Sequence, residues 1–238
     1  MSAGSKYPPG VSIITCTNRP SFMENLFKNY KRQRHARKEL IIVVNKDKAS
    51  LLPYQQLAKK DKSIQVYRLP ERHSLGSCLN FAVSRTKYDY IAKFDDDDYY
   101  APYYVKDGLQ AFQKSNADIV GKKSHYMYLS GSKTVLLRFP GCEYRYETPL
   151  PGATLMVKRH VFSKVRFPDQ SIGEDDDFCK LSKKQGYKVY SAGKHNFIAI
   201  RRKDTSSHTW TISDKTLIAH HRIVPNVKDY KRFVRKKP

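Results

Sequence analysis

Two runs of four acidic residues, Asp95–Asp98 and Glu174–Asp177, are the densest concentration of reactive groups in the sequence. They hold eight of the 22 acidic residues in a chain whose net charge is +23. Four adjacent carboxylates repel one another, and a hard divalent cation with oxygen ligands is a natural compensating charge. Mg²⁺ in proteins takes one or two carboxylates and completes its shell with phosphate oxygens and water. The runs therefore suggest a site for a divalent cation and a phosphate-bearing ligand, with a solvated acidic loop as the alternative.

The first run follows an apolar stretch, Tyr90–Phe94, that predicts a buried strand. Alternate side chains leave a strand on the same face, so Asp95 and Asp97 can point at one ligand.

The second run precedes a helix predicted over 177–184, which ends at Gly186, a suitable C-cap. Acids at a helix N-terminus complement the helix dipole, and we expect that role for Asp176 or Asp177. If Asp176 or Asp177 has this role at the helix N-terminus, a neighbouring carboxylate of the run is still available for catalysis.

The elements that must position these acids alternate between strand and helix over about the first 115 residues. Strands are predicted at Val11–Thr15, Leu40–Val44, Ile64–Tyr67 and Tyr90–Phe94, and helices at 21–32, 50–60, 76–85 and 102–114. Ser21 and Glu24 predict a capping box for the first helix. The alternation predicts a Rossmann-like α/β fold with a mostly parallel sheet flanked by helices. Ligands bind such sheets at the carboxyl ends of the strands, where Thr15, Asn45 and Asp95 stand.

Beyond residue 117 the pattern changes to short strands, which predict a smaller mixed-sheet extension. These strands are expected at Ile119–Val120, His125–Leu129, Thr134–Arg138, Ala153–Val157, Tyr187–Tyr190 and Phe197–Ile200. The expected organisation is a flexible leader at 1–10, an α/β half at 11–115, a second half of the same domain at 116–215, and a basic tail at 216–238.

Composition narrows the class of protein. A chain of 238 residues with 17 Tyr and 12% aromatic residues is expected to fold as one domain rather than remain disordered. No run of 18 apolar residues predicts a membrane span, and Met1–Gly10 lacks the apolar core of a secretory signal. The four scattered Cys predict free thiols and a cytoplasmic protein, not a disulfide framework or a zinc knuckle.

A net charge of +23 implies a polyanionic neighbour: nucleic acid, an anionic membrane surface or a phosphate-bearing substrate. The densest basic segments are Lys31–Lys38 and Lys228–Lys237. A generic solvated surface is the alternative interpretation of these segments.

Several motifs together resemble the family 2 glycosyltransferases of the A-type fold (GT-A), in order and over roughly residues 10 to 210. They are Val11-Ser-Ile-Ile-Thr-Cys-Thr-Asn-Arg-Pro20, Glu39-Leu-Ile-Ile-Val-Val44, His73-Ser-Leu-Gly-Ser-Cys-Leu-Asn80, Tyr90-Ile-Ala-Lys-Phe-Asp-Asp-Asp-Asp98, Pro151-Gly-Ala-Thr-Leu-Met-Val-Lys-Arg159, Gly173-Glu-Asp-Asp-Asp-Phe178 and Gly186-Tyr-Lys-Val189. The family usually has Asp where this chain has Asn45, which leaves the nucleotide base open between uracil, thymine and others. The Q-x-x-R-W motif of processive synthases is absent, which favours single sugar transfers.

The resemblance implies an inverting transfer of a sugar from a nucleotide-diphosphate sugar, expected to be a UDP-sugar, with Mn²⁺ or Mg²⁺ as cofactor. The acceptor is expected to be a cell-surface glycan, a glycopolymer or a lipid-linked acceptor, which the basic segments would hold at the inner face of a membrane. The resemblance implies Asp97 as metal ligand, Asp95 toward the ribose and Asp175 as general base. The implied nucleotide-binding residues are Thr15, Thr17, Asn18, Arg19, Asn45, Arg72, Gly76, Asp95 and Asp96.

Three later features carry two interpretations each. His208 is a third metal ligand or diphosphate contact, or a surface or packing histidine. Arg201–Lys203 is a mobile loop that closes over the diphosphate, or a solvated strand end. Trp210 stacks on a sugar or belongs to the core. His220 and His221 are expected to be structural.

Two other functions compete with sugar transfer. A nucleic-acid-binding protein or metal-dependent nuclease would account for the charge, but the acid clusters would repel phosphates without a metal. A sugar-nucleotide binder without catalysis would need to have lost Asp97 or Asp175, and both are present.

Overall fold

The fold is built on two sheets, and the computed structural model describes residues 8–204 and 212–238 of the chain. The strands are β1 (Val11–Thr17), β2 (Lys38–Val44), β3 (Ile64–Arg68), β4 (Tyr90–Lys93), β5 (Tyr99–Tyr100), β6 (Ile119–Gly121), β7 (His125–Leu129), β8 (Thr134–Arg138), β9 (Arg145–Tyr146), β10 (Met156–Lys158), β11 (Val189–Ser191), β12 (Phe197–Arg201) and β13 (Arg222–Val224). The helices are α1 (Met23–Arg32), α2 (Leu52–Lys59), α3 (Leu75–Ser84), α4 (Tyr104–Ser115), α5 (Glu174–Lys184), α6 (Asp214–His220) and α7 (Tyr230–Val234).

The larger sheet has the order β3-β2-β1-β4-β10-β6-β11-β9, and its first four strands are parallel. β10 is antiparallel to both β4 and β6, and β11 is parallel to β6. The strands β3, β2, β1, β4, β6 and β11 therefore run in one direction, and β10, which lies between β4 and β6, runs in the opposite direction. We call the side where these parallel strands end the carboxyl edge and the side where they begin the amino edge. The predicted Rossmann-like sheet is confirmed.

Apolar residues on both faces of this sheet explain why its strands read as continuous apolar runs. Ile13 and Ile42 face a cluster formed with α1, α2 and α4. Ile14, Ile41 and Val43 face the opposite cluster, which includes α3 and α5. With helices on both faces, side chains that bind ligands are exposed at the edges of the sheet.

The smaller sheet has the order β13-β8-β7-β12-β5 and is mixed, since β12 is parallel to β7 but antiparallel to β5. β5 follows the first acidic run directly. The second sheet thus packs against the end of β4, and the predicted mixed-sheet extension is confirmed.

The predicted capping box at the first helix is wrong. Pro20–Phe22 forms a 3₁₀ turn, so α1 begins at Met23 and Phe22 occupies its N-cap without a side-chain bond. Glu24 pairs with Lys28, with 2.6 Å between the Glu24 Oε1 and Lys28 Nζ atoms. Proline fixes a helical φ and starts the turn before Ser21 can act as a cap.

Three predicted strands are shorter than expected. The first is β4, which ends at Lys93 and not at the predicted Phe94. The stretch 153–157 gives only β10, because Gly152–Thr154 forms a 3₁₀ turn before it. The stretch 187–190 becomes β11 at Val189–Ser191.

The region 216–238, expected as a basic tail, contains the rest of α6 and all of β13 and α7. Val234 is fully buried, and the Tyr230 ring stacks on Tyr128 with 4.4 Å between centroids. Apolar residues spaced among the cations anchor this segment on the second sheet. Within the described ranges, no helix is long and apolar enough to cross a membrane.

Candidate active site

The first acidic run forms a tight turn at the carboxyl edge, between β4 and β5. Side-chain amides of α1 hold its carbonyls: Asn25 Nδ2 donates to the Asp96 and Asp98 oxygens at 2.7 and 2.9 Å, and Asn29 Nδ2 donates to the Asp98 oxygen at 2.8 Å. The Asp95 N–H donates to the Tyr100 hydroxyl at 2.8 Å. These polar contacts fix the direction in which each carboxylate of the turn points.

The four carboxylates of the turn alternate along the chain between exposed and buried positions. The Asp96 and Asp98 side chains are buried, whereas Asp95 is 36% exposed and Asp97 is 12% exposed. Asp98 accepts a hydrogen bond from the Ile200 N–H at 2.8 Å. Burial, followed by the nearby charges of Asp97 and Asp95, raises the pKa of Asp98 well above its ordinary value. Asp95 is thus the most exposed carboxylate of the turn and Asp97 the second, although the residues that line the cleft described below include Asp95 and Asp96 and not Asp97.

Two arginines neutralise the outward side of the turn. The Asp97 Oδ2 atom accepts hydrogen bonds from Arg19 Nη1 at 2.9 Å and from Arg202 Nη1 at 2.6 Å. Both guanidinium groups lie over the Phe22 ring, at 4.9 and 4.7 Å from its centroid. Arg202 follows β12, so the second sheet supplies a cation to the acids of the first.

Asp96 binds back to the loop after β1. Its carboxylate pairs with Arg19 and accepts a hydrogen bond from the Thr17 hydroxyl at 2.5 Å. Burial and the adjacent Asp97 raise the pKa of Asp96 to about 6, although Arg19 and Thr17 favour its charged form. Thr17 and Arg19, both predicted site residues, are thereby brought against the acidic turn.

A buried lysine lies between the two acidic runs. Lys93, the last residue of β4, is 5% exposed, and its Nζ atom is 2.6 Å from the Asp95 carboxylate. Burial alone would lower the pKa of Lys93, but the charges of Asp95, Glu174 and Asp175 raise it above its ordinary value. Lys93 is not among the site residues predicted from the sequence. The sequence signal for this residue was a lysine inside an apolar strand that leads directly into four aspartates.

The second acidic run forms the first turn of α5, where its charges complement the helix dipole, as expected for Asp176 or Asp177. The helix begins at Glu174 rather than at the predicted residue 177; its N-cap is Gly173, and no side chain caps it. Glu174 is 5% exposed, and burial raises its pKa to about 7 despite the opposing charge of Lys93. Asp175 is partly exposed, and its Oδ2 atom accepts the Gly152 N–H at 2.5 Å. A Cβ atom at residue 152 would lie 2.5 Å from that oxygen, so Gly152 is the residue that lets the backbone approach Asp175.

A cleft of about 390 Å³ opens beside these acids at the carboxyl edge. Its lining comes from the loop after β1, the end of β2, the start of α3, the acidic turn and the loop before α5: Cys16, Thr17, Asn18, Arg19, Asn45, Leu75, Asp95, Asp96, Ser171 and Ile172. Six of the predicted nucleotide-binding residues are among them. Ser171 and Ile172 were not predicted, and Ile172 is 72% exposed at the rim.

Three predicted nucleotide-binding residues lie outside the lining of this cleft. Thr15 is fully buried, and its hydroxyl donates to the Phe94 carbonyl. Gly76 is buried in α3 and donates its N–H to the Gln170 carbonyl at 3.0 Å. Arg72 is exposed on the loop after β3. Thr15 and Gly76 therefore contribute packing: Thr15 joins β1 to the acidic turn, and Gly76 lets α3 approach the loop at 168–170.

Asn45 lies where β2 ends. Its Nδ2 atom donates to the Pro70 carbonyl at 2.6 Å, which orients the amide so that Oδ1 is the atom offered to a ligand. An oriented amide oxygen accepts hydrogen bonds and does not donate them.

The late histidines and Trp210 have different outcomes. His208 and Trp210 lie outside the described residues. His220 is exposed on α6 with its Nδ1 atom 2.8 Å from the Thr216 carbonyl, and the His221 ring lies 5.9 Å from that of Phe139. Neither contact is with the cleft.

The carboxylates of Asp95 and Asp97 suit a divalent cation. They are hard oxygen donors, and a cation at Asp97 would share that carboxylate with the two guanidinium groups already paired with its Oδ2 atom. Among residues 8–204 and 212–238, no three His, Cys, Asp or Glu side chains group as a metal-ligand set. Two carboxylates suffice for Mg²⁺ when phosphate oxygens and water complete the shell.

Several solved structures share this fold. S. aureus TarS 1–349 has 17% identity, covers 80% of this chain and 60% of its own, and has a TM-score of 0.62. The same protein in complex with UDP-GlcNAc has 17% identity, coverage of 86% and 62%, and a TM-score of 0.65. Mannosyltransferase PcManGT from Pyrobaculum calidifontis, in complex with GDP-Man and Mn²⁺, has 16% identity, coverage of 85% and 59%, and a TM-score of 0.64. The predicted GT-A fold is confirmed, and the chain spans about 60% of the length of these proteins.

Sequence comparison gives a family. No curated protein sequence matches the chain significantly. The model of the glycosyl transferase family 2 matches residues 12–166, which is more than half of the chain and includes β1, the acidic turn and Gly152. On this match the chain belongs to glycosyl transferase family 2.

Proposed function

We propose that the protein is an inverting, metal-dependent glycosyltransferase. It moves a sugar from a nucleotide-diphosphate sugar to a hydroxyl of a glycan, a glycopolymer or a lipid-linked acceptor. The observation that carries the proposal is the meeting of two acidic runs, 79 positions apart in sequence, around Lys93 beside one cleft. The first run would supply carboxylates for the cation that holds the diphosphate, and the second would supply the carboxylate that accepts a proton.

In this proposal the cleft holds the nucleotide. Asn45 Oδ1 accepts a ring N–H of the base, which uracil, thymine and guanine have on their pairing edge and cytosine and adenine lack. Thr17, Asn18 and Arg19 line the path to the diphosphate. The UDP-GlcNAc and GDP-Man complexes of the structural neighbours contain bases of the kind that this amide would accept. We therefore expect a UDP-sugar donor, with TDP- and GDP-sugars as the other candidates.

Asp97 and Asp95 would hold Mn²⁺ or Mg²⁺, which acts as a Lewis acid on the leaving diphosphate. Arg19 and Arg202 lie on Asp97 and bring two further positive charges to the same place. Fixed cations stabilise the negative charge that develops as the bond between the anomeric carbon and the diphosphate oxygen breaks. The bonding electron pair leaves with the diphosphate.

Asp175 would be the general base. It takes the proton of the acceptor hydroxyl as the hydroxyl oxygen attacks the anomeric carbon from the face opposite the leaving group, which inverts that carbon. The Gly152 N–H fixes Oδ2, and Lys93 lies behind the carboxylate as a buried positive charge. The Gly152 hydrogen bond orients the acid, which stays partly exposed to solvent.

The test is the variant Asp175→Asn. It should leave nucleotide binding intact and lower kcat by about 10²–10⁴-fold, the range for loss of a general base. Asp177→Asn is the matched control, because Asp177 belongs to the same run but bonds to Gln170 and Lys180. Release of UDP from the sugar donor in the presence of acceptor measures both variants. Equal turnover of Asp175→Asn and Asp177→Asn would assign the base to another residue.

A further inference from the structure

The amino edge of the larger sheet, opposite the cleft, is lined by basic loops. Six segments lie there: 31–38 before β2, 59–63 before β3, 85–89 before β4, 115–118 before β6, 158–166 around the end of β10, and 183–188 before β11. Five of them contain 17 Lys or Arg residues, and the segment 115–118 contains none; the six segments together contain three Asp residues. We call this surface the basic edge.

Contacts between the segments show that the basic edge is continuous. The Leu40 N–H donates to the Ser63 carbonyl beside 31–38, and the Arg37 guanidinium lies 5.8 Å from the Tyr88 ring. The Arg159 N–H donates to the Asp89 carbonyl at 2.8 Å. The first contact joins 59–63 to β2 two residues beyond 31–38, and the other two each join neighbouring segments directly, so the positive charges form one surface.

Asp118 joins the remaining segments. Its carbonyl accepts the Lys158 N–H at 2.9 Å, and its carboxylate accepts the Lys188 N–H at 2.9 Å and lies 3.1 Å from His160 Nε2. One of the three acids of the edge is therefore engaged by the cationic segments themselves.

Helix dipoles account for only part of this charge. Helices α1 to α5 all end at the amino edge, and cations in a last turn stabilise a helix. Five of the 17 cations occupy such turns: Lys31, Arg32, Lys59, Lys183 and Lys184. The others lie beyond the last turns, where the dipole effect has fallen off.

The width of the basic edge favours an extended anionic surface as the partner. In sheet order, the seven neighbouring strands that begin with β3 and end with β11 are spaced by about 4.8 Å, which makes the edge about 30 Å wide. Near its centre, between α3 and the segment 158–166, lies a concavity of about 700 Å³ lined by Lys158, Arg159 and Arg166 over Val83 and Phe162. A plane of headgroups meets all six segments at once, whereas a single polyanionic chain follows one line across them.

Binding at the basic edge does not require apolar side chains to insert into the partner. Among the described residues, the large apolar side chains with high exposure lie outside the six segments: Leu52, Tyr144, Tyr146, Ile172, Leu181 and Ile223. Attraction at the basic edge is thus electrostatic and must weaken with salt.

We propose that the basic edge is a docking surface for the anionic headgroup plane of a lipid bilayer. The surface includes the predicted segment Lys31–Lys38 but not the predicted segment Lys228–Lys237. The two segments adjoin at Tyr99, where Arg32 and Lys231 lie over the same ring at 4.6 and 5.7 Å from its centroid. That second segment lies by the smaller sheet, where the Lys236 N–H donates to Asn196 Oδ1 at 3.0 Å. The proposal is independent of sugar transfer, since it concerns the opposite edge of the sheet.

Vesicle co-sedimentation of the full chain tests the proposal. The probes are vesicles of phosphatidylcholine alone and of equal parts phosphatidylcholine and phosphatidylglycerol. The edge variant carries Lys60→Glu, Lys62→Glu, Lys164→Glu and Arg166→Glu, all at exposed positions. The matched control carries Lys133→Glu, Lys215→Glu, Arg222→Glu and Lys228→Glu, also exposed but outside the edge. Each reversal removes two positive charges, so both variants fall from +23 to +15.

We expect the wild type and the control to sediment with the anionic vesicles and not with the neutral ones. The edge variant should bind at least about a hundredfold more weakly, since each cation at an anionic surface contributes about fivefold. Raising salt from about 0.1 M to about 1 M shortens the Debye length from about 10 Å to about 3 Å and should release the wild type. Circular dichroism of both variants checks that they are folded.

Three results would overturn the proposal: wild type that ignores anionic vesicles, equal losses in the edge and control variants, and binding that survives high salt. Binding of a DNA duplex through the same edge, without vesicle binding, would also overturn it and assign the surface to nucleic acid. None of these results bears on nucleotide binding in the cleft, so failure here leaves the proposed transfer reaction untouched.

Discussion

Lys93 is the residue on which the two acidic runs depend. Its ammonium group is buried between Asp95, Glu174 and Asp175. Without this positive charge, the three carboxylates would repel one another at the end of the strand. A buried charge that loses its partner is strongly destabilising. The acids were visible in the sequence, and so was their role at strand and helix ends. The cation that joins them was not recognised, because its contacts come from residues far along the chain.

Replacement of Lys93 should therefore cost stability. Lys93→Met should lower the free energy of unfolding by about 3–5 kcal/mol, the range for breaking a buried ion pair. Lys180→Met is the control, because Lys180 is exposed and its pair with Asp177 should contribute about 0–1 kcal/mol. Urea unfolding measures both. Equal small losses would show that Lys93 does not hold the acids together.

Glu174 should make stability depend on pH. Its pKa is raised from 4.5 to about 7 in the folded protein. Below pH 4.5 both states hold the proton. As pH rises from 4.5 through 7 the unfolded state releases it first, so the folded state loses stability. The full loss is roughly 3 kcal/mol.

The variant Glu174→Gln removes this dependence. Relative to the wild type, its free energy of unfolding should rise between pH 4.5 and pH 8 by an amount near that loss. Asp177→Asn should show no such rise, since hydrogen bonds from Gln170 and Lys180 lower the pKa of Asp177. Urea unfolding at the two pH values gives the comparison. A difference between Glu174→Gln and wild type that does not change with pH would contradict the account.

Among the elements, the loop before α5 and the start of α3 together form one wall of the cleft. Gly76 approaches this loop so closely that an added Cβ would lie 1.8 Å from the Pro168 carbonyl oxygen. The Leu75 N–H donates to the Ser171 hydroxyl at 3.1 Å, and the Asp169 carboxylate accepts from the Ser77 hydroxyl. Gly76 thus positions the wall of the cleft without touching its contents.

Gly76→Ala should displace this wall. We expect a loss of about 1–3 kcal/mol of stability, as for other overpacked sites, together with weaker nucleotide binding. Gly131→Ala is the control, because its nearest neighbour atom would be 3.5 Å from the added Cβ. Thermal unfolding and nucleotide titration measure the two effects. Unchanged nucleotide affinity in a destabilised Gly76→Ala would separate this wall from the binding site.

Periodicity was sufficient to predict most elements of the larger sheet, because buried parallel strands and amphipathic helices carry strong patterns. It failed where local geometry competes with propensity. Pro20 starts a 3₁₀ turn and moves the beginning of α1 to Met23, and Gly152 starts another that shortens β10. The loop at 168–172 could not be assigned to the cleft, because Ser171 and Ile172 have no pattern and reach it only through tertiary packing.

Across the whole molecule, charge is polarised between the two edges of the larger sheet. Both acidic runs lie at the carboxyl edge and the basic loops at the amino edge. The seven residues of β1 separate the edges by about 20 Å at about 3.3 Å per residue. If the basic edge docks on a bilayer, the cleft faces away from it. The acceptor hydroxyl must then lie about 20 Å or more from the headgroups, as it would on the distal part of a long glycan or glycopolymer.

The central claim is that the cleft binds a nucleotide diphosphate through a divalent cation held at Asp97. A thermal-shift panel tests it most directly, with UDP, TDP, GDP and CDP, each with Mn²⁺ and with a chelator. Ligand at about 100 times Kd should add about 2.7 kcal/mol, a rise of roughly 5–10 °C in Tm for a chain of this size.

We expect a rise that requires Mn²⁺, is largest for UDP, TDP or GDP, and is lost in Asp97→Asn but kept in Asp229→Asn, whose carboxylate caps α7. No rise with any nucleotide in the presence of Mn²⁺, or the same rise in Asp97→Asn, would contradict the central claim.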